Sequence, residues 1–487
     1  MATITTIIDI GSNSMRMVVF KKTSRFAFHQ INESKSKVKI SEGCYENNGN
    51  LQDIPMQRAF NALESFLKIA KNLKSRKILC VATSALRDAP NSKLFISRVK
   101  KELKLNIKVI DGSKEAYYGG VATLNLTACD NFTTVDIGGG STEFAFIRDN
   151  NIVDTVSLKI GTVRIKELYF NNNDFEGAKD YIISQLEAIN MKLTTIVGLG
   201  GSARALSRII LQNTNYPLDT LHGFKYKAKD NLEFFDKIVD ADSNKELKKL
   251  GVEKDRYDTI KTGTFIFKTI LEYFEVKTVI TSGVGVREGV YLTDLLRTSN
   301  YKFPANFNIS IRSLLDRFID DSSQSSYLGN NVRKIFDSLV PLHKLDKKYS
   351  SILVMASKLQ LIGLSLNFDK NEDHAFWYIL NGLNYGFTHE DKILIAILTK
   401  FTKKSLPKQK DIEVFKTLLP SIEIIQWLSF MMTLNISLHV EFNKTKYEYK
   451  LDDNILNIIS NQNQYLVQRA LYKIKAPLDI ELNLVKD

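Results

Sequence analysis

Two short segments carry the residue types that could do chemistry: DIGSNS at Asp9–Ser14 and DIGGGS at Asp136–Ser141. Each joins an Asp to small residues and hydroxyls. Glycine lets backbone N–H groups approach phosphate oxygens, Ser and Asn add hydrogen bonds, and an Asp at a strand end can orient a hydrated cation. A single Gly-rich hairpin is usually only a hairpin, but two copies in one chain read as the halves of a phosphate clamp. The chemistry suits a polyanion with a metal ion.

The residues between and after the loops extend this reading. VATSALRDAPN (81–91) brings Thr83, Ser84, Arg87 and Asn91 to the end of an apolar run. Arg87 could grip phosphate oxygens bidentately, although an ordinary strand-to-helix connection would look the same. Glu115, in DGSKEAYYGG, falls in the first turn of a predicted helix capped by Ser113. A favourable dipole interaction of about 0.3–1 kcal/mol is a sufficient structural reason for an acid there. If that helix end borders the clamp, Glu115 could instead deprotonate a water attacking a terminal phosphorus. Glu143 shares a strand face with Ser141 by the period of two, and could hold water or a cation, or be a solvated residue on an edge strand. SLKIGTVRIKE brings Arg164 near another glycine, and GLGGSARAL opens a helix whose N-terminus could receive an anion.

These residues need strands and turns to hold them. TTIID and FTTVD precede the two loops and MRMVVF and TEFAFI follow them, which predicts strand, turn and returning strand twice over. An amphipathic helix over 55–73, a buried strand KILCVAT, a strand IKVID and a helix from about 113 complete a first α/β lobe over 1–125. A second lobe over 126–300 repeats the design, with predicted helices over 175–192, 203–212 and 258–274, the strands TTIVGLGG and TVITSG, and a further Gly-rich turn, SGVGVREG. A cleft between two such lobes is where a small-molecule site is expected. From about 301 glycines thin out and apolar periodicity runs on, predicting a helical domain over 301–487 with short β segments near KYEYKL and LDIELNL.

Composition narrows the classes. The 487 residues exceed one ordinary domain, and 44% hydrophobic content is ample for packed cores. The longest apolar runs, such as ILIAIL (393–398), fall far short of the ~20 residues that cross a bilayer, so no membrane span is expected. MATITTIIDIGSNS does not read as a signal peptide, and the three dispersed cysteines, Cys44, Cys80 and Cys129, read as free thiols; a reducing cytoplasm is expected. A net charge of +13 favours polyanions in general, without the local patterning of a specific nucleic-acid reader. There is no GxxxxGK[ST] loop, no GxGxxG opening a helix after the first strand, no GxSxG elbow, and no HExxH among six histidines. P-loop ATPases, simple dinucleotide dehydrogenases and α/β hydrolases leave the front rank.

Taken together, DIGSNSMRMVVF, VATSALRDAPN, DGSKEAYYGG, DIGGGSTEFAF, SLKIGTVRIKE, GLGGSARAL and SGVGVREGVY resemble, in family order over roughly the first 290 residues, the exopolyphosphatase / guanosine pentaphosphate phosphohydrolase (Ppx/GppA) family of the sugar kinase, Hsp70 and actin superfamily. The resemblance implies two actin-like (RNase H-like) α/β lobes with a cleft between them. It also implies Mg²⁺-dependent release of terminal orthophosphate from pppGpp, giving ppGpp, from inorganic polyphosphate, or from both. Glu115 would be the general base and Glu143 would position the water. Asp9, Asp136 and Glu143 would stand on the metal side. Ser12, Asn13, Ser14, Arg87, Gly138, Gly139, Gly140, Ser141 and Thr142 would bind phosphates.

The C-terminal domain resembles a degenerate HD domain. Gln360 and Leu361, in ASKLQLIGLSLN, stand where such domains carry a metal-binding pair, so no second metal centre is expected although His374 keeps a family-like position. Phe376 and Trp377 are expected in its core, and the domain is expected to wall a substrate channel, to be structural, or to form a homodimer surface. Two other classes stay open: a small-molecule kinase of the same superfamily, which would need an acceptor site, and a non-catalytic polyphosphate or nucleotide sensor, against which Glu115 and Glu143 argue.

Overall fold

A computed structural model of the chain describes residues 3–402 and 405–486. The run Ile4–Ile10 (β1) is nearly all buried, on both faces, as suits a central strand. It pairs antiparallel with β2 (Met15–Lys22), which pairs with the half-exposed edge strand β3 (Phe28–Ser36). The helix α1 (Asp53–Asn72) buries Ala59, Phe60, Leu63, Phe66 and Ala70 at helical spacing, and leads to β4 (Lys77–Ala82), parallel to β1. A four-residue helix α2 (Ser84–Arg87), the helix α3 (Ser92–Leu103), the strand β5 (Ile107–Val109) and the helix α4 (Gly112–Leu126) follow. The sheet order is β3-β2-β1-β4-β5.

The design then recurs. β6 (Phe132–Ile137), β7 (Thr142–Arg148), β8 (Asn151–Leu158), β9 (Thr195–Leu199), β10 (Lys225–Lys227) and β11 (Thr278–Thr281) form a second sheet in the order β10-β11-β9-β6-β7-β8. Without the edge strand β10 this is the first sheet again, hairpin for hairpin and crossover for crossover. Even the turns match: the Gly11 N–H donates to the Ser14 carbonyl at 3.3 Å, and the Gly138 N–H to the Ser141 carbonyl at 2.9 Å. The helix Val286–Leu295 returns to the first lobe. A Cβ on Gly289 would lie 1.9 Å from the Tyr118 carbonyl oxygen, so this helix packs on α4 closely enough to exclude any side chain.

Residues through Phe307 form one compact unit and those from Asn308 a second. The second unit holds the helices Ile309–Phe318, Ser322–Ser338, Lys348–Leu359, Asn371–Gly382, His389–Lys400 and Ile422–Ser437. Its small sheet, β12 (Glu448–Asp452), β13 (Ile455–Ser460) and β14 (Glu481–Lys486), includes both predicted β segments plus a strand the sequence reading missed. Phe376 is buried, but Trp377 is 61% exposed, against the core expectation. Trp377, about 100° round the helix from Phe376, falls on the outward side with the exposed Asn381, four residues on. Among the described residues no group of three His, Cys, Asp or Glu side chains converges on a metal position, and no single helix is long and apolar enough to cross a membrane.

Candidate active site

The two repeated turns meet face to face: a Cβ built on Gly139 would fall 2.7 Å from Ser12 Cβ. Within the first lobe, Ser12 Oγ lies 3.1 Å from Ser84 Oγ of α2. One on Gly140 would meet the Tyr45 hydroxyl at 2.7 Å, and one on Gly161 would strike the Gly139 and Gly140 backbone at 2.5 Å. None of these three glycines has a positive φ; they are small so that two backbones can close on each other. Between the turns lies a cavity of about 160 Å³.

Its floor is acidic. Asp9 and Asp136 end the central strands β1 and β6 of their sheets, so the equivalent carboxylates of the two lobes face one space. Burial pushes Asp9 up to about 6, with Arg287 opposing and Asp136 reinforcing the shift; burial likewise raises Asp136, against the pull of Arg204, Arg16 and Arg287. Glu143 is buried on β7, an interior strand between β6 and β8, which corrects the solvated-edge reading. It accepts a hydrogen bond from Ser157 Oγ at 2.8 Å, and burial lifts it to about 7 despite hydrogen bonds from Ser141 and Ser157.

Glu115 stands in the first turn of α4 and is buried. The cap is Asp111, whose Oδ1 accepts from the Lys114 N–H at 2.7 Å; Ser113, the predicted cap, instead turns its hydroxyl to Thr155 at 2.6 Å. Burial and the neighbouring Glu143 hold Glu115 well above the usual carboxylate range, while Arg87 pulls it down. Arg87 Nη1 donates to Glu115 Oε2 at 3.1 Å and Nη2 donates to Ser141 Oγ at 3.3 Å. This arginine therefore fixes the acid and the second turn at once.

Facing the acids are four arginines that sequence reasoning did not assign to the site: Arg16, Arg204, Arg256 and Arg287. Arg204 is half-buried, donates to the carbonyls of Ser282 at 2.7 Å and Val284 at 3.1 Å, and is pushed down to about 10 by burial and by Arg287 and Arg16. Arg287 pairs with Glu33 at 2.8 Å, and Arg16 reaches the same carboxylate at 3.6 Å. Guanidinium groups gathered on one cavity repel unless anions join them, and a run of phosphates matches them in charge.

Of the residues expected in the site, Asp9, Ser12, Asn13, Ser14, Glu115, Asp136, Gly138, Gly139 and Glu143 line the cavity. Arg87, Gly140 and Ser141 stand just behind it, and the buried Thr142 turns its hydroxyl to the Ile160 carbonyl. Arg164 donates to the Gly140 carbonyl at 2.8 Å and to Asp88 at 3.1 Å, supporting the second turn from outside. The GLGGSARAL segment delivers Gly200 and Gly201 to the cavity wall at the start of the helix Gly200–Asn213.

One buried oxygen, Asp9 Oδ1, has no hydrogen-bond partner. An orphaned carboxylate oxygen beside Asp136 suits a hard divalent cation that takes one or two carboxylates and fills its other positions with water and phosphate oxygens.

Residues 18–298 match the Ppx/GppA phosphatase family, and residues 308–480 match domain III of that family. The chain belongs to the Ppx/GppA phosphatase family. This membership makes it a phosphoanhydride hydrolase with a divalent-metal chemistry. Among its relatives, a guanosine-5'-triphosphate,3'-diphosphate pyrophosphatase of Photobacterium profundum is 28% identical over 418 residues, 82% of this chain and 81% of the relative. A protein of the same name from Vibrio atlanticus is 28% identical over 99% of this chain and 96% of its own. The crystal structure of the Aquifex aeolicus Ppx/GppA family member superposes with a TM-score of 0.53 at 28% identity, over 61% of this chain and 99% of that one.

Proposed function

We propose that this hydrolase releases terminal orthophosphate from pppGpp, giving ppGpp, and from inorganic polyphosphate, with Glu115 as the general base. The observation that carries the reading is Glu115 itself: a carboxylate of raised proton affinity, held by Arg87 at 3.1 Å, that faces the paired turns. The name shared by the two full-length relatives supports pppGpp as a substrate.

The substrate's phosphates lie against Arg16, Arg204, Arg256 and Arg287, and the terminal phosphoryl group enters between Ser12–Ser14 and Gly138–Thr142. A water held by Glu115 and Glu143 attacks the terminal phosphorus. The new bond is water oxygen to phosphorus, the bond broken is phosphorus to bridging oxygen, and the water's proton passes to Glu115. The turn N–H groups and arginines stabilise the charge on the equatorial and departing oxygens. Asp9 and Asp136 are the residues that would hold Mg²⁺, which when bound would supply further neutralisation of phosphate charge, while Glu143 serves the water.

The test is product analysis. Purified protein with Mg²⁺ is given pppGpp, long-chain polyphosphate, or ATP with a panel of sugars, and orthophosphate and nucleotides are resolved chromatographically. Orthophosphate together with ppGpp from pppGpp, and orthophosphate from polyphosphate, is the expected result. Phosphorylated sugar with no phosphate release would overturn the reading in favour of a kinase.

A further inference from the structure

A second cavity, of about 310 Å³, opens at the far end of the first lobe's sheet. It forms where β1 and β4 begin and β2 ends: Thr5 is in register with Lys77, and Lys22 is the last residue of β2. The turn after β2 contributes Arg25 and Phe26, and the end of the helix Val286–Leu295 contributes Asp294, followed by Arg297. Thr5, which lines the cavity, is four residues from Asp9 along β1, about 13 Å at ~3.3 Å per residue.

The chemistry of this cavity is one-sided. Lys77 and Asp294 form an ion pair across it, but Lys22, Arg25 and Arg297 have no carboxylate partner among the described residues. Three cations of one sign therefore converge on a concave space with an excess of three positive charges over its single acid. The walls are firm. The Tyr291 ring stacks on Phe20 at 4.5 Å and meets Phe28 edge-on at 4.7 Å, and Arg25 lies 4.9 Å from the Phe26 ring centre. Arg25 and Arg297 are themselves exposed, but the concavity and the aromatic wall set this space apart from a flat basic surface, and its volume lies in the range of small-ligand sites.

We propose that this cavity is a second anion site, distinct from the catalytic cleft, that binds a phosphate-bearing ligand through Lys22, Arg25 and Arg297. Two adjacent phosphates satisfy the three cations, which one monoanion does not. The site rests on none of the residues of the catalytic reading, so either can fail without the other.

The test is a calorimetric titration of the full chain with methylenediphosphonate, a diphosphate mimic that cannot be hydrolysed. Wild-type protein is expected to bind two equivalents and Arg25→Gln/Arg297→Gln one, with phosphate release from tripolyphosphate unchanged in that variant as a check on its fold. Lys22→Gln, a single milder change, is expected to weaken the second equivalent at least threefold. The guanosine ester of the same diphosphonate separates the sources: tighter binding at the second site identifies a nucleotide, equal binding an inorganic phosphate chain. The same number of equivalents at undiminished affinity in the wild type and in both variants would overturn the proposal.

Discussion

Arg87→Met would separate the two influences that set the proton affinity of Glu115. Burial and Glu143 raise it, and the hydrogen-bonded guanidinium opposes them. At 3.1 Å and an effective dielectric of about 20, Coulomb's law gives about 5 kcal/mol for such a pair before desolvation and screening are subtracted. Carboxylates beside an arginine keep about 1–3 pKa units of that, or about 1.4–4 kcal/mol. Both groups are mostly buried, so the discount for solvent is modest. A base must be ionised to accept a proton, so the acidic limb of the kcat/KM–pH profile should move up by about 1–3 units in Arg87→Met. Phosphate release from pppGpp between pH 5.5 and 10 measures this. The rate at pH 7 should fall at least tenfold and recover in part at alkaline pH. An acidic limb that stays in place, with a uniform fall at every pH, would refute the electrostatic argument and leave Arg87 as a phosphate contact alone.

Three further outcomes follow from the same geometry. Asp9 is raised by the fold from 3.8 to about 6, so its favourable contribution is complete below pH 3.8 and is lost as pH rises through about 6. Asp9→Asn should therefore gain up to about 3 kcal/mol in urea unfolding at pH 8 without divalent cations, and almost nothing at pH 4; equal midpoints at pH 8 contradict this. Gly161→Ala would push a methyl into the Gly139 and Gly140 backbone, and should cost about 1–3 kcal/mol and most of the activity, read by thermal melting and phosphate release. Lys37 and Lys39 hydrogen-bond Asp258 and hold it at about 2, a contribution lost only as pH falls through that value; because its side chain is 41% exposed, Asp258→Asn should cost under about 1 kcal/mol in urea unfolding at pH 7.

Much of this site could be read before any coordinates because its parts are local. DIGSNS and DIGGGS each lie between apolar runs, so strand, turn and return are written within about twenty residues, and the repetition of the turn is the repetition of the fold. Glu115 was legible because a helix start follows a short strand. What escaped the sequence is what depends on long-range convergence. Arg16, Arg204, Arg256 and Arg287 share no spacing, and only the meeting of the lobes turns them toward one cavity. Ser113 was the expected cap; Asp111, two residues earlier, takes that place, and the Ser113 hydroxyl meets Thr155, more than forty residues away. Glu143 looked like an edge residue because β8, which covers it, announces itself weakly, with an exposed and partly polar pattern. In the second unit, β13 pairs parallel with β14 across an intervening helix, Tyr465–Leu471, a connection without a local turn signal.

The central claim is that Glu115 removes a proton from the attacking water. Its most direct test is the rate of orthophosphate release from pppGpp by Glu115→Gln, measured with Mg²⁺ alongside the thermal melting curve and the affinity for the substrate. The account predicts a loss of about 10²–10⁴-fold in kcat with folding and binding retained. Turnover undiminished in the folded variant would contradict it.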